Sequence, residues 1–130
     1  MSALLLDTHV VLWWLITPRK LSRRAFRLIE RGNAWISVLS IWEARLKQER
    51  RGLTLPQGDL VELISAQGIR ILPLTIEHVQ SAANLRGLHA DPYDRLIVGV
   101  ARAEKMVFLT RDAELLERAA PLLGDLLMEA

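Results

Sequence analysis

Short apolar runs alternate with longer helical patterns along the chain, and this alternation restricts the fold more than any other feature. The first run, Ala3 to Leu6, contains no polar residue, which is typical of a strand buried on both faces of a sheet. An apolar helical run, Val10 to Ile16, follows it. Alternation of this kind favours parallel strands joined by helices. The sequence therefore predicts a three-layer α/β/α sandwich with a central, mostly parallel sheet of about five strands.

Capping residues, turn residues and apolar spacing predict the other elements. We expect four further strands, at 34–38, 69–74, 106–109 and 125–128. Further helices are expected after Ser22, from Ser40 to Arg51, and at 59–66, 76–85, 92–101 and 112–120. Ser40 and Glu43 match the Ser-x-x-Glu capping box, which would begin the helix to Arg51 at Ser40.

Composition sets limits on the class of protein. A chain of 130 residues with 51% apolar and 25% charged residues predicts one globular domain over 1–130. The absence of cysteine excludes disulfides and thiolate zinc sites, and it suits a reducing compartment. The longest apolar run, Val10 to Ile16, is too short to cross a bilayer, and no basic region precedes it. We therefore expect a cytoplasmic protein with no membrane association.

The formal net charge is only +2, but basic residues are concentrated in the first half of the chain. They form two helix-like stripes, Arg19, Lys20, Arg23, Arg24, Arg27 and Arg31, then Arg45, Lys47, Arg50 and Arg51. Such stripes can follow a nucleic-acid backbone. Solvated helix faces have the same pattern, so charge alone leaves both interpretations open.

Four acidic residues are predicted to meet at one edge of the sheet. Asp7, Glu43 and Asp112 each follow closely on a strand, and Asp94 begins a helix that can point at the same edge. Each acid also has an ordinary explanation as a helix cap or a first-turn charge. Ser, Thr or Asn would cap as well, however, whereas a divalent cation needs several carboxylates around one cavity. The convergence therefore predicts a site for Mg²⁺ or Mn²⁺, which prefer oxygen ligands.

Four motifs surround these acids: Leu-Leu-Asp-Thr-His, Ser-Ile-Trp-Glu, Asp-Pro-Tyr-Asp-Arg-Leu-Ile and Phe-Leu-Thr-Arg-Asp. In this order and spacing the chain resembles a PIN domain of the VapC-type toxin class, from Leu4 to about Leu127. The resemblance implies an endoribonuclease toxin of a toxin–antitoxin pair, which cuts RNA with Mg²⁺ or Mn²⁺ and leaves a 5′-phosphate and a 3′-hydroxyl. It also implies a homodimer that is inhibited by a small antitoxin protein.

The resemblance assigns catalysis and metal binding to the four acids. Asp7 and Asp94 would be the main ligands, and Glu43 and Asp112 would bind directly or through water, so that the metal activates a water for in-line attack. Supporting positions are Thr8, Ser40, Asp91 and Thr110. Arg111 stands beside Asp112 in the sequence and is a candidate ion-pair partner for it.

Two other functions are compatible with parts of the pattern. An aspartyl-phosphate phosphatase also has an Asp after its first strand, but it normally has a second acid two residues later, where this chain has His9. A PIN-like binding module without activity is the other alternative, and the presence of all four acids is evidence against it.

The tryptophans are expected in the core or an interface, and the histidines as surface or hydrogen-bonded polar residues. The apolar run at 10–15 and the basic second helix predict a docking face for a partner.

Overall fold

The computed structural model describes residues 2–52, 54–85 and 91–130. Five strands form one parallel sheet: β1 (Leu4–Leu6), β2 (Ala34–Ser37), β3 (Arg70–Leu72), β4 (Val107–Thr110) and β5 (Leu127–Glu129). Their order across the sheet is β3-β2-β1-β4-β5. The predicted α/β class and the predicted strand number are both confirmed.

Helices connect the strands. They are α1 (Thr8–Ile16), α2 (Arg23–Glu30), α3 (Val38–Arg51), α4 (Leu60–Ala66), α5 (Ile76–Ala83), α6 (Pro92–Glu104) and α7 (Ala113–Leu123). Short 3₁₀ helices cover Pro18–Lys20 and Gly124–Leu126. No helix in the described ranges is long and apolar enough to cross a membrane.

The sheet separates two hydrophobic cores because successive side chains of a strand point to opposite faces. Leu4 and Leu6 belong to a core shared with α1 to α4, whereas Leu5 belongs to a core shared with α6 and α7. All three leucines are buried. This arrangement explains why β1 has no polar position, and it confirms the predicted three layers.

The strand order places a topological switch point beside β1. From β1 the chain first crosses to β2 and β3 on one side of the sheet, and later enters β4 and β5 on the other. In open parallel sheets a crevice forms beyond the carboxyl ends of the strands at such a point. Asp7 follows β1 directly and Asp112 lies two residues after β4, so these two acids flank the crevice.

The predicted capping box at Ser40 is wrong. Helix α3 begins at Val38, directly after β2, and its N-cap is Ser37, whose hydroxyl accepts a hydrogen bond from the Leu39 N–H at 3.1 Å. Ser40 is therefore a buried residue inside the first turn. The apolar residues at 38 and 39 resemble the end of a strand in sequence, but they form the start of the helix because a serine that can cap already precedes them.

Several boundaries also differ from prediction. Strand β3 is shorter than 69–74, because it lies at an edge, pairs only with β2, and is followed by Pro73, which has no N–H to donate. Helix α7 continues through Pro121 to Leu123, since a proline in the last turn removes one helical bond while Leu123 becomes buried. Helix α5 ends at Ala83, and β5 begins two residues late, after a 3₁₀ turn. His89 lies outside the described residues.

Candidate active site

Asp7 is held by hydrogen bonds to both of its carboxylate oxygens. The Thr8 N–H donates to Oδ1 at 2.8 Å, and the Thr110 hydroxyl donates to Oδ2 at 2.7 Å. Burial raises the pKa of this carboxyl, the two hydrogen bonds oppose that rise, and the negative charge of Glu43 adds to it. Asp7 is formally the N-cap of α1, but its side chain reaches only the first N–H of the helix. Its second oxygen is therefore positioned by β4, independently of any capping role.

Two threonines connect the acids. Thr110 is fully buried; its hydroxyl donates to Asp7 and accepts a hydrogen bond from the Asp112 N–H at 3.2 Å. Thr8 is also buried, and its hydroxyl donates to Glu43 Oε1 at 2.8 Å. Both were predicted as supporting positions, and the structure places both in contact with candidate acids. The contacts themselves could not be read from the sequence, because they join residues 35 and 103 positions apart.

Glu43 lies in the second turn of α3. One carboxylate oxygen accepts from Thr8, and the other lies 3.6 Å from Lys47 Nζ one turn later. Since α3 begins at Val38, Glu43 has no part in capping this helix. The ordinary explanation for this acid is therefore removed, and what remains is a carboxylate directed at Thr8, next to Asp7.

Asp94 is the acid whose electrostatic environment is most unusual. It lies in the first turn of α6, behind the N-cap Asp91, which accepts hydrogen bonds from the N–H groups of Tyr93 and Asp94. The pKa of Asp94 is raised from 3.8 to about 7. Burial is the largest cause, and four carboxylates add to it: Asp91, Asp7, Asp112 and Glu43. All four predicted site acids are thus close enough to interact.

Asp112 has the ordinary capping role that its place before a helix predicts. As the N-cap of α7 it accepts from the N–H groups of Glu114 and Leu115 through Oδ1, at 2.9 and 3.1 Å. The predicted partner Arg111 turns away from it and donates through Nη1 to the backbone oxygens of Lys20 and Ala130. Asp112 is exposed, and within the described residues no ion pair holds it.

Ser40 is the supporting candidate that the structure does not bring to the site. It lies buried in the first turn of α3, and among the described residues no hydrogen bond joins it to the four acids. Two residues that the sequence places only in a basic stripe do lie at the site: Lys47 beside Glu43, and Arg50 one turn further along α3. Their spacing of four and seven residues from Glu43 is a signal that could have placed them on its face.

Two cavities open at the acids. The Lys47 cavity, of about 460 Å³, lies between α3 and the start of α6, and it is lined by Glu43, Asp94 and Asp112 together with Lys47, Arg50 and Tyr93, among others. The Trp13 cavity, of about 240 Å³, is lined by Asp7, His9, Trp13, Arg111 and Asp112. A larger cavity of about 570 Å³ lies at the opposite end of the strands, against Leu4 and Val107, and it contains none of the four acids.

The donor set suits a hard divalent cation. In the described parts of the chain, no three acidic or histidine side chains stand close enough to form a ready-made metal cage. Mg²⁺ does not require one, because it is usually held by one or two carboxylates and completes its shell with water and substrate phosphates. The residues available here, oxygen donors without cysteine and with Asp7 already oriented at both oxygens, fit that mode of binding.

Comparison with known proteins identifies the fold family. Residues 4–121 match the PIN domain family. The chain belongs to the PIN domain family. This PIN domain is 30% identical over 125 residues to Ribonuclease VapC22 of Mycobacterium tuberculosis strain H37Rv, and the match covers 93% of this chain and 95% of that protein.

Solved structures show the same fold. This PIN domain resembles the crystal structure of DNA-bound VapBC from Salmonella typhimurium, with a TM-score of 0.71 and 19% identity over 99% of this chain and 98% of that one. It also resembles VapBC2 from Rickettsia felis bound to a DNA fragment from its promoter, with a TM-score of 0.64 and 16% identity over 98% of both chains.

Proposed function

We propose that this PIN domain is an Mg²⁺- or Mn²⁺-dependent endoribonuclease that acts as the toxin of a toxin–antitoxin pair. The observation that carries the proposal is the placement of Asp7, Glu43, Asp94 and Asp112 around two adjoining cavities at one edge of the sheet, with Asp7 and Glu43 fixed by the Thr110 and Thr8 hydroxyls. Carboxylates this close together repel one another unless a cation is bound among them, and the raised pKa of Asp94 agrees with that crowding. The similarity to Ribonuclease VapC22 supports RNA as the substrate.

Each of the four acids has a separate role in this proposal. A bound divalent cation would supply an activated water and would shield the negative charge of the scissile phosphate. Asp7 is oriented for the cation by Thr8 and Thr110, and Asp94 contributes the second carboxylate. Glu43 is fixed by the Thr8 hydroxyl, while Asp112 completes the negative edge.

Backbone phosphates next to the cleaved bond need positive partners. Lys47 and Arg50 line the same cavity as Glu43 and Asp94, so they can bind a backbone phosphate directly beside the acids. Lys47 already lies 3.6 Å from Glu43, which keeps its ammonium group at the edge of the cluster. We assign these two residues to substrate binding.

We further propose a small antitoxin protein as partner and a homodimer as the assembly. The two solved relatives are VapBC proteins, which supports an antitoxin partner. Part of the predicted docking face at 10–15 is covered within the chain: Val10, Val11 and Leu12 are buried, and Trp14 packs on Phe26. Trp13 and Leu15 are half-buried and only Ile16, directly after the predicted run, is an exposed large apolar residue of α1, so the docking face is narrower than the sequence suggested.

The decisive experiment is cleavage of RNA by purified protein with Mg²⁺ or with chelator. We expect Asp94→Asn to lower the rate by at least about 100-fold, because it removes a ligand charge while leaving an isosteric side chain. Far-UV circular dichroism should be unchanged. The matched control is Asp59→Asn: Asp59 caps α4 by accepting from the N–H groups of Val61 and Glu62, and it should retain full activity.

Asp112 can be tested against the same control, since both aspartates cap a helix through two backbone N–H groups. Asn caps about as well as Asp, so stability should hardly change in either variant. Loss of activity in Asp112→Asn alone supports a catalytic position. Full activity in both would remove Asp112 from the site, and full activity in Asp94→Asn would overturn the nuclease proposal in favour of a binding module.

A further inference from the structure

The Trp13 cavity differs chemically from the rest of the site. Asp7 and Asp112 form one side of it, and His9, Trp13 and Arg111 form the remainder. Asp112 also lines the Lys47 cavity, so the two spaces adjoin the same acid. One side of the acid cluster therefore offers ammonium and guanidinium groups, and the other offers an indole, an imidazole and a guanidinium group.

The indole of Trp13 is fixed in position. Trp13 is half-buried and packs on the core below α1. Above the core, the Arg111 guanidinium lies 5.6 Å and the Lys20 ammonium group 5.8 Å from the ring centroid. Cations at these distances are attracted by the ring. Trp13 therefore places an aromatic ring, with the Arg111 guanidinium against it, beside the acids.

Arg111 is held from outside the cavity. Its Nη1 donates to the Lys20 oxygen at 2.7 Å and to the Ala130 oxygen at 3.0 Å, and its Nε lies 3.8 Å from Glu129. These contacts fix the guanidinium plane before any ligand arrives, which lowers the entropic cost of binding against it. His9, next to the positioned Asp7, is exposed and accessible to a ligand.

We infer that the Trp13 cavity receives the base of an unpaired nucleotide adjacent to the cleaved bond, which makes Trp13, His9 and Arg111 determinants of sequence preference. This inference rests on the proposed ribonuclease function. Aromatic rings and guanidinium planes are the groups on which single-stranded bases stack, and imidazole and guanidinium nitrogens bond to base edges. A base in a duplex is already stacked, so the ligand is single-stranded RNA.

A phosphate is a poorer occupant of this cavity than a base. Trp13 and His9 offer ring faces and ring nitrogens that suit a base better than a phosphate. The Lys47 cavity is lined by Lys47 and Arg50, but five carboxylates line it as well, so a phosphate would bind there together with the divalent cation that the proposed function assigns to the acids. The RNA would then cross the acid cluster with its backbone toward α3 and one base turned toward α1.

Binding of labelled oligoribonucleotides tests the inference without cleavage. We would use the Asp94→Asn protein with Mg²⁺ and a set of single-stranded RNAs of one sequence, each with an abasic site at a different position. Removal of one particular base should weaken binding about tenfold, as the loss of one stacked base does. Trp13→Leu should abolish this dependence on the base, and His9→Ala, at an exposed position, should reduce it.

The matched control is Trp35→Leu. Trp35 also has an arginine over its ring, with Arg70 at 5.3 Å, but it lies on β2 and lines neither cavity at the acids. The inference predicts that Trp35→Leu keeps the full dependence on the base. Equal behaviour of the two leucine variants, or binding that no abasic site weakens, would overturn it.

Cleavage of a random-sequence RNA pool by the parent protein separates this inference from the proposed function. His9→Ala and Trp13→Leu should flatten the base preference at one position next to the cut, while cleavage of an RNA abasic at that position is retained. If the parent binds RNA with the predicted dependence on the base but never cleaves it, the proposed ribonuclease function is refuted and the base-binding role of the Trp13 cavity is supported. A parent that cleaves, with a preference that neither variant alters, would refute the pocket alone.

Discussion

At the scale of single residues, two buried hydroxyls determine how the acids are presented. Thr110 and Thr8 each donate to one carboxylate, on Asp7 and Glu43 respectively. The acids could be predicted from their places after strands, because parallel strands bring their carboxyl ends to one edge. The contacts made by the two hydroxyls could not be predicted, because a Thr after a strand or at the start of a helix has several local hydrogen-bond partners available.

The raised pKa of Asp94 leads to a prediction about stability without metal. The folded protein holds a proton at Asp94 up to about pH 7, whereas the unfolded chain releases it near 3.8. Parent stability should therefore fall as the pH rises from about 4 to 7, and the full penalty should remain above pH 7. Asp94→Asn avoids it, so in chelator the variant should gain about 1–2 kcal/mol over the parent at pH 8, after allowance for solvent screening.

Urea unfolding of both proteins in chelator at pH 4.5, 6, 7 and 8 would check this. The advantage of Asp94→Asn should be small at pH 4.5 and should grow with pH. Asp59→Asn provides the comparison for an exposed capping acid. A constant difference between Asp94→Asn and the parent across the series would contradict the pKa argument.

At the scale of elements, the pairing of α5 with α6 positions Asp94. Thr75 and His78 form a capping box at the start of α5, and His78 Nε2 lies 2.7 Å from Glu104 Oε2 near the end of α6. Thr75 directly precedes the helix predicted at 76–85, and a Thr at that place is an ordinary cap. The buried position of His78 could not be predicted from the sequence. Glu or Gln is the usual residue at the N3 position of a capping box, and His78 takes that position here.

Gly99 lets these two helices approach closely. A Cβ at this position would lie 2.7 Å from the Ala82 nitrogen and 2.8 Å from its Cα, both backbone atoms that cannot move away independently. Gly99→Ala should therefore destabilise the protein by about 1–3 kcal/mol, although Ala is the better helix former. RNA cleavage should fall as well, because α6 carries Asp94 in its first turn.

Thermal melting and cleavage assays would measure both effects. Arg102→Ala, at an exposed position of the same helix, is the matched control and should melt within a degree or two of the parent. A Gly99→Ala protein that melts higher than the parent would show that helix propensity outweighs the close contact.

At the scale of the whole molecule, the sequence predicted the layers, the five strands and the convergence of four acids, because each depends on local pattern and on the rule for parallel strands. The boundary of α3 was missed because Ser37 and Ser40 are both capable caps, and only the register of β2 with β3, which ends at Ser37, decides between them. The two cavities at the acids could not be predicted from the sequence for a different reason. The Lys47 cavity joins α3 to residues at least 41 positions away, and the Trp13 cavity joins Asp7, His9 and Trp13 to residues at least 98 positions away, so the shape of each depends on packing.

The stability of the whole molecule should depend on divalent metal through Asp7. In chelator, Asp7→Asn should melt higher than the parent, because Asp7 is a carboxylate whose pKa is raised by burial and by the nearby Glu43 charge. With saturating Mn²⁺ the order should reverse, since a cation that binds only the folded site adds about 2.7 kcal/mol at 100 times its Kd. Asp59→Asn, which alters a cap remote from the acids, should gain as much from Mn²⁺ as the parent does. If Asp7→Asn and the parent gain equally from Mn²⁺, Asp7 is not a ligand; a merely structural cap at this position predicts that equality, together with no gain in chelator.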